Sequence, residues 1–133
     1  MTVQTDIQTI LRESKVIAIV GLSPKPERAS HMVAAYLKKV GYTIIPVNPG
    51  HSQILDGTSY ASLKEIPHKV DIVDVFRRAE HTPEIAQAAV DIGAKVLWLQ
   101  LGISSEVSEK IALTNGLKVV MDKCIKIEHA RLS

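Results

Sequence analysis

The sequence predicts a doubly wound α/β domain: a mostly parallel sheet of about five strands, flanked by helices and built from residues 1–133 as a single unit. Three observations predict it. Short apolar runs alternate along the chain with amphipathic patterns of helical period. The runs are rich in β-branched residues and largely continuous rather than alternating, as in strands buried on both faces. Glycines or Asn-Gly pairs close the helical segments.

In order, Ile7, Ile10 and Leu11 have the spacing of a short amphipathic helix capped at Thr5 or Asp6, read as a lid on a sheet edge. Val16 to Val20 is a buried strand ending at Gly21. After a loop holding Pro24 and Pro26, Met32, Val33, Tyr36, Leu37 and Val40 form a helical stripe, with Ser30 as candidate N-cap and Gly41 as its close. Thr43 to Val47 is the second strand, stopped by Asn48-Pro49-Gly50. The polar stretch to Leu63 is irregular, with a short strand and a helical turn. Val70 to Phe76 is the third main strand. Thr82, Pro83 and Glu84 then provide a cap, a first-turn proline and a first-turn acid for a helix to Ile92. Strand Lys95 to Leu101 follows, then a helix capped by Ser105, then strand Leu117 to Asp122. The residues from Lys123 read as a short polar tail. With right-handed crossovers this order makes a Rossmann-like fold.

A chain of 133 residues, 46% hydrophobic, can bury a core without disulfides or a structural metal. The single cysteine, Cys124, has no partner within the chain, and Met1 to Lys15 lacks the pattern of a signal peptide. Both point to a reducing, cytoplasmic setting. No stretch approaches the roughly 20 apolar residues of a membrane span. The formal charge of +2 is too small for a protein that neutralises many duplex phosphates, so no nucleic-acid partner is expected. That excess is localised. Lys25 and Arg28 less Glu27 account for one charge, and Arg77 and Arg78 less Glu80 for the other.

In open parallel sheets ligands bind beyond the carboxyl ends of the strands, near the point where strand order reverses. Here those ends carry Gly21 through Ser30, Asn48-Pro49, Phe76-Arg77-Arg78 and Gln100-Leu101-Gly102. Backbone N–H groups, hydroxyls and basic side chains suit a ligand carrying phosphates. Each has a plain structural use as well: Gly21 as a turn, Ser30 as a cap, Lys25 and Arg28 as solvated charges. Arg77-Arg78 is harder to explain so, because it directly follows a buried strand where neutral turn residues would suffice. Pro24 and Pro26 suit a loop held in one shape. The dinucleotide fingerprint G-x-G-x-x-G is missing, since Ser23 and Pro26 stand where its later glycines belong, and the second strand ends in Asn48 rather than an acid. That disfavours an NAD(P)-linked oxidoreductase. The Walker A loop is missing too.

Five segments in order carry a specific resemblance: Val20 to Arg28, Ile45 to Pro49, Val73 to Arg78, Val96 to Ile103, and Val120 to His129. Together they resemble the stand-alone CoA-binding protein family, which is similar in fold to the N-terminal domain of the succinyl-CoA synthetase alpha subunit. The resemblance implies that Gly21, Ser23, Pro24, Lys25, Arg28 and Ser30 wrap the pyrophosphate of coenzyme A, with Ser23 and Lys25 foremost. It implies that Val47 and Asn48 lie beside the adenosine, that Phe76, Arg77 and Arg78 line the ADP half, and that Leu99, Gln100 and Leu101 line the pantetheine. Pro24, Lys25 and Pro26 replace small residues of the synthetase loop. The synthetase's phosphorylated histidine belongs to a second domain, for which these 133 residues leave no room.

For chemistry, the five histidines are scattered and no two have metal-site spacing, so no metal is expected. Asp71 and Asp74 flank two apolar residues and face different sides of a strand. Cys124, near Lys123 and Lys126, is the candidate reactive group, against the commoner role of an inert packing thiol. The expected function is therefore binding of CoA or acyl-CoA without catalysis. The alternative is a CoA-dependent enzyme or thiol-redox element using Cys124. A homo-oligomer is compatible with either.

Overall fold

The computed structural model describes residues 3–132, with side chains from Asp6 onward. Its elements are α1 (Val3–Glu13), β1 (Val16–Val20), α2 (Ala29–Lys39), β2 (Thr43–Val47), a small antiparallel pair β3 (Gln53–Ile54) and β4 (Gly57–Thr58), β5 (Ile72–Val75), α3 (Thr82–Asp91), β6 (Val96–Leu99), α4 (Glu106–Thr114), β7 (Lys118–Val120) and α5 (Ile125–Ala130). Single 3-10 turns at Leu63–Glu65 and Ala79–His81 precede β5 and α3. Five strands form one parallel sheet in the order β2-β1-β5-β6-β7. Strand order reverses between β1 and β5, so the loops after these two strands diverge to opposite faces and leave a crevice between them.

Continuous apolar strands follow from cover on both faces. On one face Ile17, Ile19, Ile72, Val96, Trp98 and Val120 pack with Ile7, Ile10 and Leu11 of α1, Val33 and Leu37 of α2, and Ile125 of α5. On the other, Ala18, Val20, Val73, Val75, Leu97 and Leu99 pack with Ala86 and Ala89 of α3 and Ala112 of α4. The alanines on α3 and α4 leave space for the branched side chains of the strands.

Six expectations need correction. Thr5 and Asp6 do not cap α1, which begins at Val3. α1 is no edge lid either, since Ile7, Ile10 and Leu11 sit in the core of one sheet face. Ser30 lies inside α2 and is buried, and the cap position is Arg28, with no side-chain cap hydrogen bond. Met32 and Val40 are exposed, so the buried stripe of α2 runs through Ala34 instead. Thr82 is the first residue of α3 rather than its cap; its hydroxyl donates to Ala79 O at 2.7 Å and meets Ser108 Oγ at 2.7 Å. The segment after Lys123 is no tail. It forms α5, which buries Ile125 completely. Ser105, by contrast, caps α4 by accepting from Ser108 N at 3.1 Å.

Edge strand β2 contains Pro46, opposite Ile19 of β1. Its carbonyl points outward and accepts from Tyr60 N at 3.0 Å, and Asn48 N donates to Tyr60 O. At the amino end of the sheet, Asp71 accepts from Lys15 N and Val16 N at 2.8 and 2.9 Å and pairs with Lys95. Burial pushes its pKa up, but the two N–H donors and Lys95 outweigh that and hold it below the ordinary carboxylate range. No described helix is long and apolar enough to cross a membrane.

Candidate functional site

Gly21 ends β1 with φ +88°, and its N–H donates to Val47 O at 2.9 Å. A Cβ there would stand 2.7 Å from Phe76 O and 3.0 Å from Arg77 Cδ. The loops after β1, β2 and β5 thus meet at Gly21, and only a residue without a side chain allows the approach.

The next residues are held in one shape. Ser23 N donates to Ser30 Oγ at 3.0 Å, Lys25 N to Ser23 Oγ at 3.1 Å, and Arg28 N to Lys25 O at 3.0 Å. His31 Nδ1 meets Ser23 O at 2.9 Å. Asn48 Nδ2 donates to Leu22 O while its Oδ1 accepts from Gly50 N, so Asn48 joins the second strand end to this loop. Ser23, Ser30 and Asn48 therefore build the loop, and Lys25 and Arg28 are exposed on it. The first turn of α2 contains no acid and has no side-chain cap, which leaves its amide donors open to an anion.

Two cavities flank this crevice. The larger, about 710 Å³, is lined by Val33, Phe76, Arg77, Arg78, Gln100, Leu101, Ile103, Cys124 and Ile127, among others. The smaller, about 240 Å³, lies on the opposite face, between Val47, Pro49, Leu63, Arg77 and Ile85. Arg77 borders both. Arg78 is exposed and lies 3.8 Å from Glu80. Leu99 is fully buried in the core under α3 and α4, whereas Gln100 and Leu101 line the larger cavity. Sequence reading missed the smaller cavity, one wall of which comes from the connection between β2 and β5 and another from α3. Val47 and Arg77 of its lining were expected at the site, and Leu63, an apolar residue in a polar stretch, was the signal for the far wall.

A third cavity, about 460 Å³, opens at the amino edge near Asp71 and Lys95. There Asp71 is committed to Lys15 N, Val16 N and Lys95, whereas Arg77 and the open first turn of α2 lie at the other edge. Among the described residues no cluster of His, Cys, Asp and Glu is able to hold a metal ion.

Residues 15–130 match the CoA binding domain family. The chain belongs to that family. This CoA-binding domain is 44% identical over 127 residues to the uncharacterized protein YneT of Bacillus subtilis, covering 96% of this chain and 94% of YneT. It is 27% identical over 129 residues to acetate–CoA ligase [ADP-forming] I of Archaeoglobus fulgidus, covering 90% of this chain but 19% of the ligase. A solved structure of a hypothetical protein from Pyrococcus horikoshii superposes with a TM-score of 0.95 at 40% identity, over 98% of this chain and 92% of that one.

The CoA-binding domain also buries an acid. Asp74 of β5, between Ile19 and Trp98 in the sheet, is fully buried, and neither carboxylate oxygen has a hydrogen-bond partner. Burial pushes its pKa well above the ordinary carboxylate range, so the neutral acid is favoured. Strand alternation puts it on the face of Phe76, one pleat below the floor of the larger cavity.

Proposed function

We propose that the chain binds coenzyme A or an acyl-CoA across the carboxyl edge of the sheet. The observation that carries this reading is Arg77, a cation bordering two cavities on opposite faces at the switch point. A ligand with a charged middle and two dissimilar ends fits that arrangement. The pyrophosphate lies against Gly21 to Arg28 and the open first turn of α2, beside Arg77. The adenosine occupies the smaller cavity near Val47, Pro49 and Ile85. The pantetheine runs through the larger cavity past Phe76, Gln100 and Leu101, where apolar walls suit an uncharged arm. Membership of the CoA-binding domain family supports the choice of ligand.

Thermal unfolding with added ligand tests it. A ligand at a hundred times its dissociation constant stabilises the native state by about 2.7 kcal/mol, a readily measured rise in Tm. CoA is expected to raise Tm well above NAD at equal concentration. Equal or greater stabilisation by NAD overturns the assignment.

A further inference from the structure

The larger cavity contains the chain's one thiol, and the structure fixes its position from both sides. Trp98 Nε1 donates to Lys123 O at 2.8 Å, and Ile125 N donates to Gln100 Oε1 at 3.0 Å. Two side chains of one strand and its extension thus clamp the backbone on either side of Cys124. Asp122 adds a third anchor: its N donates to Ile103 O at 3.1 Å, its Oδ1 accepts from Gly102 N at 2.6 Å, and it adopts φ +57°. A left-handed aspartate in so constrained a segment is the kind of local strain that positions functional groups.

Gln100 points to a ligand on separate grounds. The residue is 4% exposed and lines the same cavity. Its Oε1 is taken by Ile125, but its amide N–H donors have no partner among the described residues. Gln100 Nε2 is not sealed from solvent and opens to the cavity that the residue lines, where a ligand acceptor can take the place of water. A pantetheine arm, with its amide carbonyls, carries such acceptors.

We propose that Cys124 forms a mixed disulfide with the thiol end of the bound ligand, an inference that rests on the CoA reading above. The reaction is thiol–disulfide exchange with CoA disulfide. The Cys124 thiolate attacks one sulfur of the S–S bond, a Cys124 Sγ–S bond forms, the original S–S bond breaks, and one CoA leaves as thiolate and takes up a proton. One disulfide replaces another, so no further oxidant is needed. Lys126 is not a close counter-ion for this step as the chain stands, because its Nζ lies over the Tyr36 ring, 5.5 Å from the centroid. Placement of the two sulfurs in one groove is what drives the exchange.

The test treats the reduced protein with CoA disulfide or with glutathione disulfide and follows the adduct by intact-protein mass spectrometry. Binding turns the exchange into an effectively unimolecular step, so CoA disulfide is expected to react at least about tenfold faster. Cys124→Ser gives no adduct, and Arg77→Ala reduces the preference while leaving the thiol in place. The Tm of Cys124→Ser with CoA separates the two ideas. If CoA stabilises this variant but the wild type reacts no faster with CoA disulfide than with glutathione disulfide, the mixed disulfide is overturned and CoA binding stands. If CoA stabilises neither protein, the CoA reading fails and the proposal fails with it.

Discussion

Gly21 and Phe76 approach so closely at the switch point that a methyl group on the glycine would stand 2.7 Å from the phenylalanine's carbonyl oxygen. The contact is with backbone, which cannot rotate away as a side chain would. It joins the loop proposed to hold the pyrophosphate to the segment that carries Arg77.

Gly21→Ala is therefore expected to destabilise the fold by about 1–3 kcal/mol, from the clash and from the cost of φ +88° for a residue with a Cβ. CoA affinity should fall with it, as the loops after β1 and β5 separate. Urea unfolding checks the first effect and calorimetric titration the second. Gly93→Ala is the contrast: φ is also positive, but no atom lies within 4 Å of the added Cβ, so it should lose stability without losing affinity.

Arg77→Ala should leave stability within about 0.5 kcal/mol, because the side chain is exposed. CoA affinity should fall about tenfold or more, the usual loss for a charge-assisted phosphate contact, and the salt dependence of binding should weaken. Lys25→Ala should act in the same direction. Unchanged titrations for both variants would identify these charges as merely solvated.

Asp74 makes stability depend on pH in an unusual direction. The folded chain holds this proton more tightly than the unfolded chain, so between the two pKa values the native state binds more protons and stability falls as pH rises. The loss begins near pH 4, the unfolded value, and continues to the raised folded value at about 1.4 kcal/mol per unit of elevation. Asp71 works the opposite way. Its contribution is present above the unfolded pKa and is lost as pH falls through its depressed folded pKa. Asp74→Asn should abolish the decline, seen as a wild-type-minus-variant difference in urea unfolding at pH 5, 7 and 9. Parallel slopes would show that the carboxyl ionises freely.

The parallel sheet was legible because burial on both faces leaves unmistakable apolar runs, and β1 and β2 start and stop where those runs do. Helix caps were less legible. Ser30 and Thr82 look like caps, yet their hydroxyls serve partners that only the folded chain brings near, Ser23 N seven residues away and Ser108 across two helices. α5 was hidden for a similar reason. In Ile125-Lys126-Ile127-Glu128 only Ile125 and Glu128 are buried, and Gln100 from β6's end secures the first turn. At the site, Phe76, Arg77, Arg78, Gln100 and Leu101 line one cavity, although the resemblance assigned them to two parts of the ligand, and Leu99 is buried in the core instead. The smaller cavity depends on how the β2–β5 connection folds back, which no local pattern encodes.

Pro46 has a consequence for the behaviour of the protein in crowded or concentrated solution. In a strand the N and the C=O of one residue point the same way, so the donor that proline lacks would have faced outward from β2. The carbonyl beside it is already occupied by Tyr60 N. An incoming strand from another molecule finds neither a donor nor a vacant acceptor at the middle of this edge. The sheet ends there by construction, and this side of the domain resists the strand-by-strand growth that leads from a native sheet to an aggregate.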